Sequence, residues 1–304
     1  MSMKKLLGAG VVLAMATTLA ACGDSSSIEG EPAPSAEATG AEAIVIGSSN
    51  YYSNEILAEI YAQALEGAGF EVQREFKIGS REVFGKELLD GNIDLFAEYT
   101  GPLLQYWNPE NEITESAAIY EELQNRVPEH LQILDQADAT DQDSYVVSRE
   151  FSEQSGITSL ADLAAYDGDL IVAGTTEFEN RPNGPKGLKK FYDVEVGFTP
   201  IEDKGGPLTV KALLDGEVQL ANVFSASPLI KLNDLVVLED PEGMFLSSHV
   251  VPVASTDLDP KAVEVINEVQ SKLSADALLT LNVRSSEDQE ATDVIAKEWI
   301  EANL

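Results

Sequence analysis

Two kinds of segment alternate along the chain from Ile44 onward: short runs of β-branched and apolar residues, and longer stretches with apolar residues at helical spacing. Ile44-Val45-Ile46-Gly47-Ser48-Ser49 and Leu170-Ile171-Val172-Ala173-Gly174-Thr175-Thr176 each read as a buried parallel strand that ends in Gly and hydroxyl residues before a helix. Lys86-Glu87-Leu88-Leu89-Asp90-Gly91-Asn92-Ile93-Asp94-Leu95 and Lys211-Ala212-Leu213-Leu214-Asp215-Gly216-Glu217-Val218-Gln219-Leu220 each read as a helix that stops at a Gly and is followed by a short strand. Both pairs recur in the same order at an offset of roughly 125 residues, as an internal duplication would. The pattern predicts two α/β lobes, each a mostly parallel sheet flanked by helices. Ligands of such sheets sit beyond the carboxyl ends of the strands. The Gly-Ser-Ser and Gly-Thr-Thr ends should therefore face each other across a cleft, offering hydroxyls and helix N-terminal N–H groups to an anionic group.

Two further β-rich segments, Tyr145-Val146-Val147-Ser148 and His249-Val250-Val251-Pro252-Val253, suit a pair of hinge strands crossing between the lobes. On that reading lobe one comprises residues 44–146 plus 252–304, and lobe two residues 147–251. The tail agrees: Val263, Ile266, Val269 and Leu273, then Val294, Ile295 and Trp299, are spaced as in helices folding back onto lobe one.

The amino end has a different pattern. Lys4-Lys5, an apolar run from Leu6 to Leu19, then Ala20-Ala21-Cys22 follow the order of an export leader over residues 1–21. At roughly 14 residues the apolar run is shorter than the roughly 20 a helix needs to cross a bilayer. Leu19-Ala20-Ala21-Cys22 looks like a bacterial lipobox, with Cys22 lipidated as the new amino terminus. Residues 22–43 are rich in Ser, Gly, Pro, Ala and Glu and read as a flexible tether. The expectation is a protein on the extracytoplasmic face of the cell membrane, held there by its lipid alone. Cys22 is also the single cysteine, which excludes an internal disulfide or a Cys-based metal cluster.

Charge narrows the partners. The formal net charge is −34 at pH 7, and it becomes more negative when Lys4 and Lys5 leave with the leader. A nucleic-acid partner is excluded, because a phosphate backbone needs clustered Lys and Arg. The acidic surface reads as solubility, with life in high salt as the alternative.

Catalytic chemistry is missing. Nucleophilic triads and metal sites normally need His or Cys, and His130 and His249 lie far apart without ligand-spaced partners, so both read as surface or hinge residues. Gly184-Pro185-Lys186-Gly187-Leu188-Lys189-Lys190 lacks phosphate-loop spacing. No enzyme activity, cofactor or metal is expected. What recurs instead is aromatic residues beside turns: Asn50-Tyr51-Tyr52, Glu98-Tyr99-Thr100-Gly101, Ser144-Tyr145 and Val223-Phe224-Ser225. All four fall at predicted strand ends or hinges, where ring faces could attract a quaternary ammonium at about 0.5–2 kcal/mol per ring.

At these residues the chain resembles the glycine betaine/choline-type (osmoprotectant) substrate-binding proteins of ABC transporters, over essentially all of residues 44–304. The shared words are Ile46-Gly47-Ser48-Ser49-Asn50, Asp94-Leu95-Phe96-Ala97-Glu98-Tyr99-Thr100-Gly101, Gly174 through Gly184, and Leu235-Val236-Val237-Leu238-Glu239-Asp240. The resemblance implies a two-lobed fold of the type II periplasmic-binding-protein kind, with two hinge crossings and a ligand cleft between the lobes. It places Tyr99 and Tyr145 at aromatic-cage positions and Phe224 where a cage Tyr is common. Asn54 and Arg81 stand where the family has a Gln and a Thr near the ligand carboxylate, and Arg181 matches an Arg kept near the cleft. With Ser49, Asn50, Tyr51, Thr100 and Thr176 at the strand ends, these form the expected ligand site.

Three departures stand out. Ser248 replaces a cage Tyr, Ser225-Ala226-Ser227 replaces a Thr-Thr-Asp or Ser-Thr-Asp, and Ser49 replaces a usual Lys. The implied role is a monomeric receptor that passes a small molecule to an ABC permease and its ATPase. Glycine betaine or a related compatible solute is the leading ligand, with choline, carnitine or a betaine-like thione as alternatives.

Overall fold

The computed structural model describes residues 43–304; the expected leader, Cys22 and all but the last residue of the expected tether lie outside the described residues. The chain runs β1 (Ile44–Gly47), α1 (Tyr52–Gly67), β2 (Val72–Glu75), α2 (Arg81–Leu89), β3 (Leu95–Tyr99), α3 (Thr100–Trp107), α4 (Ser116–Arg126) and β4 (Leu131–Ile133). It continues through β5 (Asp143–Ser148), α5 (Arg149–Ser155), β6 (Ile171–Gly174), α6 (Pro185–Tyr192), β7 (Gly197–Pro200), α7 (Pro207–Leu214), β8 (Leu220–Phe224), α8 (Leu229–Leu232) and β9 (Leu235–Val237). It ends with β10 (Val250–Ser255), α9 (Pro260–Lys272), α10 (Ala275–Ser286) and α11 (Thr292–Asn303).

The strands form two five-stranded sheets, ordered β2-β1-β3-β10-β4 and β7-β6-β8-β5-β9. Each begins with three parallel strands and then takes one antiparallel strand, β10 in the first and β5 in the second. Position by position the orders correspond, and the duplicated words fall on equivalent elements. Gly91 and Gly216, after α2 and α7, share a left-handed φ of 73°, the conformation in which a Cβ would be strained.

The crossings come elsewhere than the sequence pattern placed them. Tyr145 and Val146 pair with Asn222 and Ala221 in the second sheet, so residues 143–146 belong with lobe two. Val250 and Val251 pair with Tyr99 and Glu98 in the first sheet, so they belong with lobe one. The two β-rich segments do not pair with each other. Each satisfies its backbone groups inside a sheet that buries both its faces, and the crossings meet at an antiparallel bridge between Thr140 and His249.

Both faces of each sheet are covered. In lobe one, α1 is apolar on nearly every side, as an enclosed helix must be. Ile56, Ile60, Tyr61 and Leu65 are fully buried, and α9, α10 and α11 pack around the helix. Phe84, Leu88, Leu103, Leu104 and Ile119 from α2, α3 and α4 cover the opposite face. Lobe two repeats the plan, with Leu160, Leu163, Phe178 and Leu188 on one face and Val210, Leu213 and Val218 on the other.

Candidate ligand-binding cleft

A cleft of about 740 Å³ opens where the carboxyl ends of the parallel strands meet, lined from both lobes. Its lobe-one wall begins at the turn after β1. Gly47 is required there, because a Cβ would lie 2.8 Å from Ile93 Cδ1 and 2.9 Å from Phe96 Cδ2. Asn54, in the first turn of α1, accepts from Ser49 N at 2.7 Å and donates to Ala97 O at 2.7 Å. It thus staples this turn to β3. Asn54 reaches the cleft surface, but both ends of its amide are already engaged.

The staple sets Tyr51 at the cleft base. Its ring centroid lies 4.9 Å from that of Phe224, which comes from the end of β8 in lobe two. Its hydroxyl donates to Asp141 Oδ2 at 2.6 Å, and Asp141 Oδ1 accepts from Ala226 N at 2.9 Å. Asp141 lies on the first crossing, so one carboxylate ties together lobe one, the hinge and lobe two. Burial pushes its pKa up from 3.8 to about 7, against the lowering effect of those two hydrogen bonds. Two residues on, Asp143 accepts from Asn183 at 2.9 Å and from Asn222 at 3.0 Å.

Tyr99 completes the aromatic side. Its hydroxyl and that of Ser53 are buried without a hydrogen-bond partner, a state that costs about 1–3 kcal/mol unless something supplies one. Burial, and then the Asp141 carboxylate, hold the Tyr99 hydroxyl well above its usual pKa.

Two guanidinium groups reach the cleft with partners. Arg81 grips Glu98 through both carboxylate oxygens, at 2.7 and 2.9 Å, and Glu98 is 1% exposed. The expected carboxylate-binding Arg81 is therefore neutralised inside lobe one. Arg181 reaches across to Glu82 at 3.2 Å and joins the lobes at the rim. Lys204, which composition and motif did not single out, donates to Ser49 Oγ at 2.8 Å from the opposite lobe.

Of the residues expected from sequence, Ser49, Tyr51, Asn54, Arg81, Tyr99, Arg181, Phe224 and Ser248 line the cleft. Ser248 donates to Asp141 O at 2.9 Å. Four do not line it. Asn50 is exposed at the turn. Thr100 spends its hydroxyl on Ser247 O and His249 N at the hinge. Thr176 points to Glu202 on the surface, and Thr175 takes the cleft position. Tyr145 is the largest displacement: it is fully buried in the core of lobe two, 5.8 Å from the Phe178 ring and 5.6 Å from the Phe245 ring. β5 enters the sheet at Asp143, earlier than expected. Asp143 therefore takes the strand-end position, and Tyr145, two residues further along the same face, turns into the core.

Asp141 and Asp143 were legible as an Asp-x-Asp directly before a β-rich run, but in a chain with 53 Asp and Glu such pairs carry little signal. Lys204 offered a better one, a rare cation before Gly205-Gly206-Pro207 and the start of a helix.

Among the described residues no cluster of His, Cys, Asp and Glu could hold a metal ion, and no described helix is long and apolar enough to cross a membrane. Residues 42–302 match the substrate-binding domain of ABC-type glycine betaine transport systems. The chain belongs to that family. Its members are substrate-binding domains of transporters, and substrate binding is the role of the family. Relatives include a glycine betaine-binding protein of Escherichia coli, 25% identical over 80% of this chain and 84% of its own length. An ergothioneine transport permease/binding protein of Helicobacter pylori is 24% identical over 85% of this chain, which spans 47% of that longer protein. Among solved structures, a glycine betaine/carnitine/choline ABC transporter protein superposes with a TM-score of 0.68 at 20% identity, covering 85% of this chain and 98% of its own. The ligand-free form of an Escherichia coli relative gives 0.62 at 24% identity, with 86% and 99% covered. At these identities the superpositions establish the two-lobed fold.

Proposed function

We propose that this protein captures glycine betaine or a closely related quaternary-ammonium solute and delivers it to an ABC permease and ATPase, acting as a monomer anchored through a lipid on Cys22. One observation carries the ligand assignment: Tyr51, Tyr99 and Phe224 converge on a cleft whose same side holds two buried carboxylates, Asp141 and Asp143. Ring faces and carboxylates attract a cation that cannot itself donate a hydrogen bond. Residues offering only hydrogen-bond acceptors would favour a protonated amine instead. Names of relatives that bind glycine betaine, carnitine and ergothioneine support the same class.

Calorimetry with glycine betaine and choline tests this reading. Wild-type protein should bind a quaternary ammonium, and Tyr99→Ala should weaken that binding tenfold or more, about 1.4 kcal/mol for one desolvated ring. Tyr145→Ala is the contrast: a folded Tyr145→Ala protein should keep its affinity while losing about 3–5 kcal/mol of stability, as for a large aromatic removed from a core. Equal affinity for wild type and Tyr99→Ala would refute the cage.

A further inference from the structure

We propose that Lys204 is the anion-binding residue of the cleft, and that it selects ligands carrying a carboxylate on the same molecule as the quaternary ammonium. The proposal rests on the quaternary-ammonium reading above and specifies the other end of that ligand. Three cations face this part of the cleft, and two are satisfied by carboxylates: Arg81 by Glu98 and Arg181 by Glu82. Lys204 differs. Among the described residues it makes no ion pair, and its one hydrogen bond goes to a neutral hydroxyl, Ser49 Oγ. Glu177 and Glu82 act on this ammonium only from beyond ion-pair distance, an ammonium drawn into a cleft without a carboxylate in contact is poorly stabilised, and a ligand carboxylate supplies that contact.

The backbone aims this side chain. Lys204 has φ 53°, in the left-handed region that long side chains rarely occupy, and Gly205 follows at φ 78°. Gly205 is obligatory: a Cβ there would lie 2.7 Å from Asn222 O and 2.9 Å from Val223 Cα, so the loop lies flat against β8. On the other side, Asp203 Oδ2 accepts from Leu208 N at 2.7 Å and Thr209 N at 3.1 Å, locking the loop to the first turn of α7. A residue held in an unfavourable backbone conformation by both neighbours, with its charge directed into a cleft, has the character of a functional position. Burial, and then the positive field of Arg181 and Arg81, lower its pKa from 10.5 to about 8, so it is protonated at neutral pH.

Geometry also gives the residue a second effect. Lys204 belongs to lobe two and Ser49 to lobe one, and they already meet across the cleft. A carboxylate held between the Lys204 ammonium and the Ser49 hydroxyl contacts both lobes at once, while the aromatic side and Asp141 hold the cation. A zwitterion therefore closes the cleft from both ends, and choline, which has a hydroxyl in place of the carboxylate, engages only one.

Calorimetry on the full chain separates the two ligands. Lys204→Met should weaken glycine betaine at least tenfold and choline less than twofold, and Lys204→Arg should recover most of the betaine affinity. Thermal unfolding confirms that the variants are folded. Parallel losses for both ligands would show that Lys204 only steadies the closed lobes, and unchanged betaine affinity would place the carboxylate elsewhere; either overturns the inference. A wild type that takes choline but not betaine overturns it too and leaves the quaternary-ammonium reading intact. A wild type that binds neither removes that reading and the inference with it.

Discussion

Arg81→Met should cost the protein stability rather than ligand affinity. Arg81 and Glu98 form a two-pronged ion pair at 2.7 and 2.9 Å, and Glu98 Oε2 also accepts from Tyr99 N at 2.9 Å. The Arg81 side chain is 13% exposed and the Glu98 side chain 1%. Removing the guanidinium leaves a carboxylate with almost no access to water, a change that costs about 3–5 kcal/mol. For a chain of this size that lowers the melting temperature by roughly 6–15 °C, at about 2–3 °C per kcal/mol. Glu98→Gln added to Arg81→Met removes the stranded charge, keeps an acceptor for Tyr99 N, and should restore most of the loss. Calorimetric unfolding of wild type, both single variants and the double variant gives the coupling energy directly. If Arg81→Met stays within about 1 kcal/mol of wild type yet loses betaine affinity, the ion pair is dispensable and Arg81 holds the ligand after all.

Asp141 makes the cleft pH-sensitive. Its pKa is raised from 3.8 to about 7 in the fold, so the folded state keeps a proton that the unfolded chain releases. Ligand-free stability should therefore fall as pH rises from about 4 to about 7 and level off above. A bound quaternary cation favours the ionised carboxylate, so affinity should rise severalfold over the same interval and then plateau. Titration calorimetry of wild type and Asp141→Asn checks this, with Asp143 and the hydroxyls of Tyr51, Tyr52 and Tyr99 as the other titratable groups nearby; an equal slope in the variant would move the effect elsewhere. At the amino end, Cys22→Ser should shift the protein from the membrane fraction to the soluble one with unchanged betaine affinity, and a variant that stays with the membrane would refute the lipid anchor.

The architecture was readable because it is written twice. Repeated helix-stop words ending at Gly91 and Gly216, and repeated strands ending in Gly and hydroxyls, predict two sheets of one plan, and topology gives the same order in each. Strand-end aromatics located the cleft by the same logic, and Tyr51, Tyr99 and Phe224 line it. The pattern missed register and pairing. Tyr145 looks like a strand-end aromatic in sequence, but a few residues decide whether a strand side chain faces ligand or core, and β5 starts at Asp143. Arg81 looks like an anion-binding Arg until the fold brings Glu98 to it from a different element. Lys204 shows in the sequence only as a rare cation before two glycines, and that it makes no ion pair among the described residues is recognised only once its neighbours have been placed.

The return of β10 to the first sheet also orders how the molecule assembles. All strands of lobe two lie within one continuous stretch, from Asp143 to Val237, so that sheet can complete as soon as this stretch is available. Lobe one is interrupted. Until Val250–Ser255 arrives, β3 lacks its antiparallel neighbour, and α1 lacks α9, α10 and α11. An unfinished chain therefore carries an open strand edge at Leu95–Tyr99 and a bare apolar helix, the features that invite misassociation. Loss of the segment from Val250 onward, β10 and the three helices after it, would thus injure the first-made half of the molecule most, and such shortened chains should aggregate through their amino-terminal lobe.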